Sequence, residues 1–374
     1  MNNLLVITVD CMRADYLKEE ITPKLCNLGK QGTVYSRAYA NGCGTPDSFP
    51  AIMASRVNSP FAHKPEVKPH EGYALTNKDI VLAEVLHAQG YETAAFVAGN
   101  PYLGAPYGYH RGFQIYQDNQ PGSLVNKVTG HRLQGALRKM AYRLPWSPYP
   151  RGEVVTQSCI QWLERHDETN GRGKRAFFAW VHYMDAHFPT LPPGQWSLSE
   201  RRAAWSPIKG DAGKHREVLK YMYEEALKYI DHQIGQLLRV IPQNTVVVLT
   251  ADHGQLFGEH DSFHHNGVWE ELLRVPLIVY PAEESPAEQS DPVQLLDLAP
   301  QLLNILGAEI PPEWQGSSLQ PPEDPIYAVS NLPPEHTYSE AWIYRDRKVI
   351  KTPEKIWELF SMDEESALSL SKIG

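Results

Sequence analysis

The sequence predicts an α/β fold in which a mostly parallel central sheet lies between helices. Five stretches are almost entirely apolar, as expected for parallel strands buried on both faces: LLVITV (4–9), TAAFVAG (93–99), AFFAWVHYM (176–184), TVVVLTA (245–251) and VPLIVY (275–280). Between them, residues 78–90 and 217–241 carry apolar side chains at helical spacing. Strands that alternate with helices in this way indicate a sandwich of helices around one sheet.

The composition of the chain changes after residue 281. Residues 1–281 contain all five predicted sheet strands, and we predict that they form one large α/β domain. A stretch rich in proline and glutamate follows, then a helical pattern at 293–307 and several short strand-like pieces. We therefore predict that residues 282–374 form a smaller C-terminal subdomain that packs on the first domain.

Composition and charge argue against several classes of protein. The 374 residues are 42% hydrophobic and 21% charged, which is typical of a globular chain. The net charge of -9 argues against a nucleic-acid-binding protein, because a phosphate backbone requires a basic face. The four cysteines lie far apart without CxxC spacing, and no apolar run approaches the roughly 18 residues of a membrane span. The first apolar run is also too short for a signal peptide, so we predict a cytoplasmic location.

Acidic and imidazole side chains follow the predicted strands at their carboxyl ends. Asp10 follows the first run, Asp185 and His187 follow the third, and Asp252 and His253 follow the fourth. In a parallel sheet these ends meet at one edge, where ligands bind. Carboxylates that meet there repel each other unless a cation neutralises them. Carboxylate, imidazole and hydroxyl donors suit a divalent ion such as Mn, Zn, Mg or Ca, and we predict a metal site at this edge.

Three more histidines, His260, His264 and His265, follow the Asp252–His253 pair within a dozen positions. A lone histidine in a loop is more often a satisfied polar group than a ligand. The joint occurrence of several imidazoles and carboxylates at the ends of predicted strands is much harder to explain by coincidence, and it favours a site that binds a metal and an anion.

Residues 42–56, GCGTPDSFPAIMASR, contain candidate nucleophiles near the start of a helix. Proline is favoured in a first helical turn, so Pro50 places Ser48 beside the N-terminus, where backbone amides stabilise an anion. Taken alone, however, the segment favours a simpler interpretation, in which Ser48, Thr45 or Asp47 caps the helix.

The chain resembles the sulfatase and alkaline-phosphatase superfamily along nearly its whole length. NLLVITVDCMRADYL is similar to the family's first strand with its metal-binding aspartate, and GTPDSFPAIMASR is similar to its nucleophile loop. Three further segments follow in the family's order and spacing: VHYMDAHFP, NTVVVLTADHGQLFGEH and WEELLRVPLIVY. The resemblance implies an alkaline-phosphatase-like α/β sandwich and a metal-dependent hydrolase that acts on a small anionic ester.

The resemblance also implies roles for individual residues. Asp10, Asp252 and His253 would hold the metal, together with the hydroxyl oxygen of Ser48. Ser48 would be the nucleophile, because Ser-Phe-Pro is similar to the Thr-Phe-Pro of the family's nucleotide pyrophosphatase branch. Thr45 is the alternative nucleophile.

Two histidines complete the implied site. His187 and His265 would contact the oxygens of the anion or protonate the leaving group, or would form a second metal site with Asp185. Cys11 stands where the related sulfatases carry a second metal-binding aspartate. The loss of that carboxylate and the gain of His253 shift the expected metal from Ca towards Mn or Zn.

The nucleophile loop departs from that of sulfatases that convert a cysteine within CxPxR into formylglycine. Here the sequence at Cys43 reads CGTPD, which lacks the proline spacing and the arginine. A serine nucleophile fits phosphoryl transfer better, so we predict hydrolysis of a phosphomonoester or phosphodiester through a covalent Ser48 intermediate. Three alternatives stay open: sulfate-ester hydrolysis without formylglycine, phosphoryl or phosphoglycerol transfer, and a non-catalytic binding protein.

Overall fold

The computed structural model describes residues 1–58, 74–119, 147–169, 175–282, 285–331, 338–352 and 358–361. Its strands are β1 (Asn3–Val9), β2 (Thr33–Tyr35), β3 (Ala38–Tyr39), β4 (Glu92–Val97), β5 (Ile115–Gln117), β6 (Phe177–Tyr183), β7 (Thr245–Ala251), β8 (Arg274–Val275), β9 (Leu277–Tyr280), β10 (Ala287–Gln289), β11 (Val293–Gln294), β12 (Ile326–Ser330), β13 (Ser339–Tyr344), β14 (Arg347–Lys351) and β15 (Glu358–Ser361). The α-helices are α1 (Pro23–Gly29), α2 (Thr45–Ala54), α3 (Leu82–Ala88), α4 (Gly152–Thr169), α5 (Leu198–Ala203), α6 (Ser206–Lys209), α7 (Arg216–Leu237), α8 (Glu270–Leu273) and α9 (Leu298–Leu306).

The largest sheet contains eight strands in the order β10-β2-β9-β7-β1-β6-β4-β5. Strand β9 runs antiparallel to its neighbours β2 and β7, and the other adjacent strands run parallel to each other. Every residue of β1, β6 and β7 is buried, which explains why these strands read as unbroken apolar runs. The predicted mostly parallel central sheet is confirmed.

Helices cover this sheet on both faces. Side chains alternate between the two faces along a strand, so Phe177 and Trp180 of β6 point in opposite directions. Phe177 packs edge-on against Trp162 of α4, with ring centroids 5.6 Å apart. Trp180 packs against Phe49 of α2 at 5.5 Å. Helices α4 and α2 therefore lie on opposite faces, which is the predicted sandwich.

The strand register brings three carboxyl ends to the same level. Val9 at the end of β1 pairs with Tyr183 of β6 on one side and with Ala251 of β7 on the other. The next residue of β1 is Asp10, and the next residue of β7 is Asp252. Two carboxylates thus leave adjacent strands side by side.

Helix α2 begins three residues earlier than the prediction from Pro50 implies. Its first residue is Thr45, Pro46 lies in its first turn, and Pro50 lies inside the helix. An interior proline leaves the carbonyl four residues earlier without its helical donor. Here that carbonyl belongs to Pro46, and it accepts a hydrogen bond from Asn58 Nδ2 at 2.6 Å. The side chain of Asn58 therefore replaces the missing backbone donor, which allows the helix to continue through Pro50.

The C-terminal strands β12 to β15 form a separate antiparallel sheet. Ile326 and Ala341 of this sheet share a hydrophobic cluster with Tyr39 of β3, Leu256 and Leu272 of α8. The preceding segment belongs to the main body, because β10 joins the eight-stranded sheet and α9 contributes to the large core. The predicted boundary between 281 and 282 stays a prediction.

The ends of several elements differ from the sequence prediction. Residues 275–280 form two strands, β8 and β9, because Pro276 between them cannot donate to a ladder. The helix predicted at 78–90 begins only at Leu82, where the Glu84 carboxylate accepts from the Val81 amide and so satisfies its N-terminus. None of the helices in the described ranges combines the length and the apolar composition that crossing a bilayer requires.

Candidate active site

The candidate site lies where β1 and β7 end. The carboxylates of Asp10 and Asp252 are fully buried, and so is the imidazole of His253, of which only 1% is exposed. His253 Nε2 lies 3.5 Å from Asp252 Oδ2 and 4.0 Å from Asp10 Oδ1. The structure therefore brings together the two acids and the histidine that the sequence places at strand ends.

Thr45 connects helix α2 to this cluster. Its Oγ1 lies 3.0 Å from Asp252 Oδ2 and 3.4 Å from Asp10 Oδ2, so the hydroxyl faces both carboxylates. Asn100, which follows β4, donates from Nδ2 to Asp10 Oδ2 at 2.7 Å and to Thr45 Oγ1 at 3.0 Å. Thr45 is the first residue of α2, so its oxygen also lies at the positive end of the helix dipole.

Ser48 lies elsewhere than the sequence prediction placed it. Its Oγ donates to the Gly42 carbonyl at 2.7 Å, and the residue is 1% exposed. The loop before α2 packs closely against the helix at Gly42, where an added Cβ would lie only 2.4 Å from Asp47 Cβ. The buried Gly42 carbonyl needs a donor, and Ser48 supplies it. The expectation that Ser48 faces the cation therefore does not agree with the structure, whereas the alternative residue, Thr45, does face the cluster.

His187 and His265 line the same site. The ring of His265 lies 4.7 Å from that of His253 and 5.6 Å from that of His187. His187 Nδ1 bonds to the Phe188 carbonyl, which leaves Nε2 for another partner. His265 Nδ1 is buried without a hydrogen-bond partner among the described residues. Both histidines are therefore placed to contact an anion beside Asp10 and Asp252.

Asp185 is held by a helix terminus and does not join the described clusters of potential metal ligands. Its Oδ1 accepts from the Gly152 amide at 3.2 Å, at the first residue of α4. Burial raises the pKa of Asp185 to about 6. One carboxylate oxygen of Asp185 thus stabilises the helix N-terminus, whereas Oδ2 is buried without a hydrogen-bond partner among the described residues. The second metal site built on Asp185 stays a prediction.

Two other predicted histidines point away from the cluster. His260 stacks on Trp269 with ring centroids 3.9 Å apart, and its Nε2 contacts Glu271 Oε2 at 3.1 Å. His264 Nε2 contacts the Pro207 carbonyl at 2.9 Å. These two residues are satisfied polar groups of the loop, which is the more common role of a lone histidine.

His182, which the sequence places with Asp185 and His187 among the candidate residues but without a specific role, lies beside Asp10. Its Nε2 lies 3.5 Å from Asp10 Oδ2, and its Nδ1 lies 2.8 Å from Thr8 Oγ1. Trp180 Nε1 donates to the same threonine oxygen at 2.9 Å. The signal in the sequence was the polar pair Thr8 and His182 inside two apolar strands, which the register places side by side. This chain of contacts fixes the orientation of Asp10.

A cation would stabilise the cluster electrostatically. Burial raises the pKa of Asp252 well above its ordinary value, and the neighbouring Asp10 carboxylate raises it further. Burial lowers the pKa of His253, His187 and His265, so all three imidazoles are neutral at neutral pH. Two adjacent buried carboxylates cannot both ionise at low cost without a counter-charge.

The residues of the cluster fit a divalent ion. His253 Nε2 is buried and has no hydrogen-bond partner in the described part of the chain, although it lies between two carboxylates. One potential ligand atom each from Asp10, Asp252 and His253 lie within 4.8 Å of one another. A buried nitrogen lone pair and two carboxylate oxygens converge there, and these are donors that Mn and Zn accept.

Comparison with other proteins identifies relatives among the sulfatases. An arylsulfatase of Clostridium perfringens is 24% identical over 385 residues, covering 85% of this chain and 77% of the relative. An N-acetylglucosamine-6-O-sulfatase of Bacteroides thetaiotaomicron is 30% identical over 204 residues, covering 46% of this chain. The matched part is only 36% of that relative's length.

Solved structures share the fold. A protein of the alkaline phosphatase superfamily from Vibrio parahaemolyticus superposes with a TM-score of 0.66 at 18% identity, over 98% of this chain and 80% of the other. A phosphonate monoester hydrolase from Silicibacter pomeroyi superposes with a TM-score of 0.67 at 18% identity, over 98% of this chain and 90% of the other. The predicted alkaline-phosphatase-like fold is thus confirmed. Residues 2–308 match the Sulfatase family, and the chain therefore belongs to that family.

Proposed function

We propose that the protein is a metal-dependent hydrolase that cleaves a phosphate ester through a covalent intermediate on Thr45. The observation that carries the proposal is the position of Thr45 Oγ1, which contacts the buried carboxylates of both Asp10 and Asp252 at the N-terminus of α2. Thr45 thus takes the role that the sequence prediction gave to Ser48.

The metal would be held by Asp10, Asp252 and His253, with the oxygen of Thr45 as a further ligand. When bound, it neutralises the carboxylates, lowers the pKa of the threonine hydroxyl and polarises the ester. A site with one imidazole and two carboxylates favours Mn or Zn over Ca or Mg.

Thr45 supplies the attacking oxygen. A bond forms between Oγ1 and phosphorus while the bond between phosphorus and the leaving oxygen breaks, and the threonine proton passes to Asp252 Oδ2, which lies 3.0 Å away. Asn100 Nδ2 lies 3.0 Å from the same Oγ1 and stabilises negative charge on it. The free amides of the first turn of α2 stabilise charge on the non-bridging oxygens.

His187 and His265 act on the leaving group. Burial keeps both neutral in the free protein, but an anionic ester beside them favours their protonated forms. Either histidine then donates its proton to the leaving oxygen. The imidazole that has lost its proton accepts one from water, and the hydroxide formed attacks phosphorus. The bond between phosphorus and Thr45 Oγ1 breaks, and Oγ1 takes its proton back from Asp252 Oδ2.

The side chains of the nucleophile loop favour phosphate over sulfate. Sulfatases of the CxPxR type make formylglycine from the cysteine of that motif, whereas the residue that faces the carboxylates here is Thr45. The nearest cysteine in the loop, Cys43, is buried in the cluster that packs against β12 and β13. A threonine hydroxyl forms a simple phosphate ester that water can hydrolyse at the same site.

The experiment compares three substrates and two variants. Aryl phosphate, bis-aryl phosphate and aryl sulfate are assayed with Mn or Zn, and acid-quenched enzyme is searched for phosphothreonine by peptide mass spectrometry. We expect turnover of a phosphate ester, a label on Thr45, and loss of both in Thr45→Val. Ser48→Ala is the matched control, because it removes a hydroxyl from the same helix. Full turnover by Thr45→Val, or a label on Ser48, would refute the assignment.

Sulfate-ester hydrolysis is the second candidate function. The observation that favours it is the similarity to curated sulfatases over most of the chain. It predicts faster turnover of aryl sulfate than of either phosphate in the same assay. Transfer to an added alcohol in place of water would instead identify a transferase. A protein that binds phosphate but turns over none of the three substrates would be a binding protein.

A further inference from the structure

Cys11 has a backbone conformation that directs its thiol into the metal cluster. It follows Asp10 directly, is fully buried and has φ of 63°, in the left-handed region that costs a side-chain-bearing residue about 1–2 kcal/mol. Two contacts hold this conformation, because the Cys11 amide donates to Asp252 Oδ1 at 3.3 Å and Tyr223 donates to the Cys11 carbonyl at 2.7 Å. The hydrogen bonds of the Cys11 amide and carbonyl thus hold the residue in its left-handed backbone conformation.

The sulfur atom lies among the predicted ligands. Cys11 Sγ is 3.1 Å from Asp10 Oδ1 and 3.8 Å from His253 Nδ1. One ligand atom each from Cys11, His253 and His265 fit within 4.8 Å of one another, and the same holds for Asp10, Cys11 and His187. Ligand atoms of a tetrahedral zinc ion, with bonds of about 2.0–2.3 Å, are separated by about 3.3–3.8 Å. The distance from Cys11 Sγ to Asp10 Oδ1 is close to that range, whereas the nearer nitrogen of His253, Nδ1, contacts the Gly254 carbonyl at 2.9 Å.

A buried cysteine is usually an inert apolar side chain. The other three cysteines lie in surroundings that fit this role. Cys43 and Cys159 are fully buried within hydrophobic clusters, and Cys26 lies half-buried on α1. Within the described residues, Cys11 is the cysteine whose sulfur contacts a carboxylate and an imidazole. In addition, His253 Nε2 beside it is almost completely buried and has no described hydrogen-bond partner, which indicates that a ligand belongs in the cluster.

We propose that Cys11 is a thiolate ligand of the bound cation, so that the site combines sulfur, nitrogen and oxygen donors. When the ion binds, the S–H bond breaks, a bond between sulfur and the metal forms, and the proton leaves to solvent without any redox change. Thiolate is a soft donor that favours Zn and Co and disfavours Ca and Mg. The inference rests on the proposed metal site but not on which ester is hydrolysed.

The test uses the full chain, stripped of metal with a chelator and titrated with Co(II). A thiolate ligand produces a near-ultraviolet charge-transfer band, whereas the visible d–d bands report binding by any donor set. We expect both bands in the wild type and in Cys26→Ser, which removes a thiol away from the cluster. We expect Cys11→Ser and Cys11→Asp to keep visible bands and lose the charge-transfer band.

Metal competition gives the second readout. Replacing sulfur with a carboxylate in Cys11→Asp is expected to lower the affinity for Zn relative to Ca by at least about tenfold, since disturbing even the outer partners of a metal ligand costs 10–100-fold. If the variants fold poorly, X-ray absorption of the zinc-loaded wild type still tests the proposal, because a Zn–S distance near 2.3 Å is expected.

Each remaining outcome overturns the inference. Visible Co(II) bands without a charge-transfer band in the wild type would show a metal site that lacks sulfur, which leaves the proposed function intact. A charge-transfer band that persists in Cys11→Ser would assign the sulfur to another cysteine. Failure of the wild type to bind Co(II) or Zn at all would refute both Cys11 as a ligand and the metal-dependent hydrolase.

Discussion

Two buried polar clusters meet at the N-terminal half of helix α2, and they differ in how their carboxylates are satisfied. In the first, Thr45 contacts Asp10 and Asp252, which face each other. In the second, Asp47 accepts from the Asn331 amide at 3.0 Å and from Asn331 Nδ2 at 3.2 Å. Both clusters lie within one helical turn and are almost completely buried.

The difference shows how a functional cluster can be separated from a structural one. The carboxylate of Asp47 has neutral donors around both oxygens and needs nothing more. Asp10 and Asp252 also accept hydrogen bonds, for example from Asn100 Nδ2 and from the Cys11 amide, but they place two buried carboxylates side by side, and the adjacent His253 Nε2 has no described partner. An unmet requirement of this kind indicates a ligand, whereas a complete hydrogen-bond set indicates a role in folding.

The largest expected effect separates the two hydroxyls of the helix. Thr45→Val removes the oxygen that faces the carboxylates, and we expect kcat to fall by about three orders of magnitude or more. Ser48→Ala removes the oxygen that bonds Gly42, and we expect kcat within about threefold of wild type and a stability loss of about 1 kcal/mol. Steady-state kinetics and urea unfolding measure the two effects, and the reverse pattern would restore Ser48 as the nucleophile.

The second effect is on thermal stability with and without metal. Chelation is expected to lower the melting temperature of the wild type by about 5 °C, because the ion stabilises only the folded state. Asp252→Asn removes one of two adjacent buried charges, so the metal-free variant should melt above the metal-free wild type and should not respond to Mn or Zn. Calorimetry with and without chelator tests this, and a variant stabilised by metal as much as the wild type would contradict it.

The third effect concerns the second cluster alone, in which Asn331 donates to Asp47. Asn331→Ala removes the Nδ2 donor from buried Asp47, and we expect a loss of about 1–3 kcal/mol in the free energy of unfolding. The affinity for Zn should stay within about twofold of wild type, because Asn331 contacts none of the predicted metal ligands. Urea unfolding and zinc titration measure the two quantities. A large loss of zinc affinity at full stability would mean that the clusters are not separate.

The smallest effect is a pH dependence that comes from Asp47. Burial raises its pKa to about 6 in the folded protein, while the unfolded chain titrates near 4. Between these values the folded state binds more protons, so this residue makes the free energy of unfolding fall as the pH rises, by at most about 1.4 kcal/mol per pH unit. Asp47→Asn should remove that slope in chelator-treated protein. If the difference in the free energy of unfolding between Asp47→Asn and the wild type stays constant from pH 4 to 7, Asp47 is not the source of the pH dependence.

Much of the fold and part of the site could be predicted from the sequence. Strands buried on both faces are unbroken apolar runs, so β1, β6 and β7 were found close to their true ends. Asp10 and Asp252 follow two such runs directly, and in a parallel sheet that position alone brings them together. The pairing of these two carboxylates was therefore predictable from periodicity and strand polarity.

The nucleophile was not predictable in the same way. The segment contains two prolines, Pro46 and Pro50, and either can occupy a first helical turn. The prediction used Pro50, but the helix starts at Thr45 because the Asn58 side chain satisfies the carbonyl that Pro50 leaves without a donor. The partner that decides the helix start lies outside the helix, so local propensity could not reveal it. The contacts of His182, a candidate from its segment, could not be predicted for a similar reason, since its partner Thr8 lies on another strand.

Helix α2 is held at both ends by parts of the chain that follow much later. Near its start, Asn331 holds Asp47, and at its C-terminal cap Ser55 donates to the Leu296 carbonyl at 2.8 Å and accepts from the Gly316 amide at 2.9 Å. A nascent chain that has emerged as far as residue 281 already carries Thr45 and every potential metal ligand, but none of these anchors. Residues 296–331 must therefore be synthesised before these contacts can hold Thr45, the proposed nucleophile, in place.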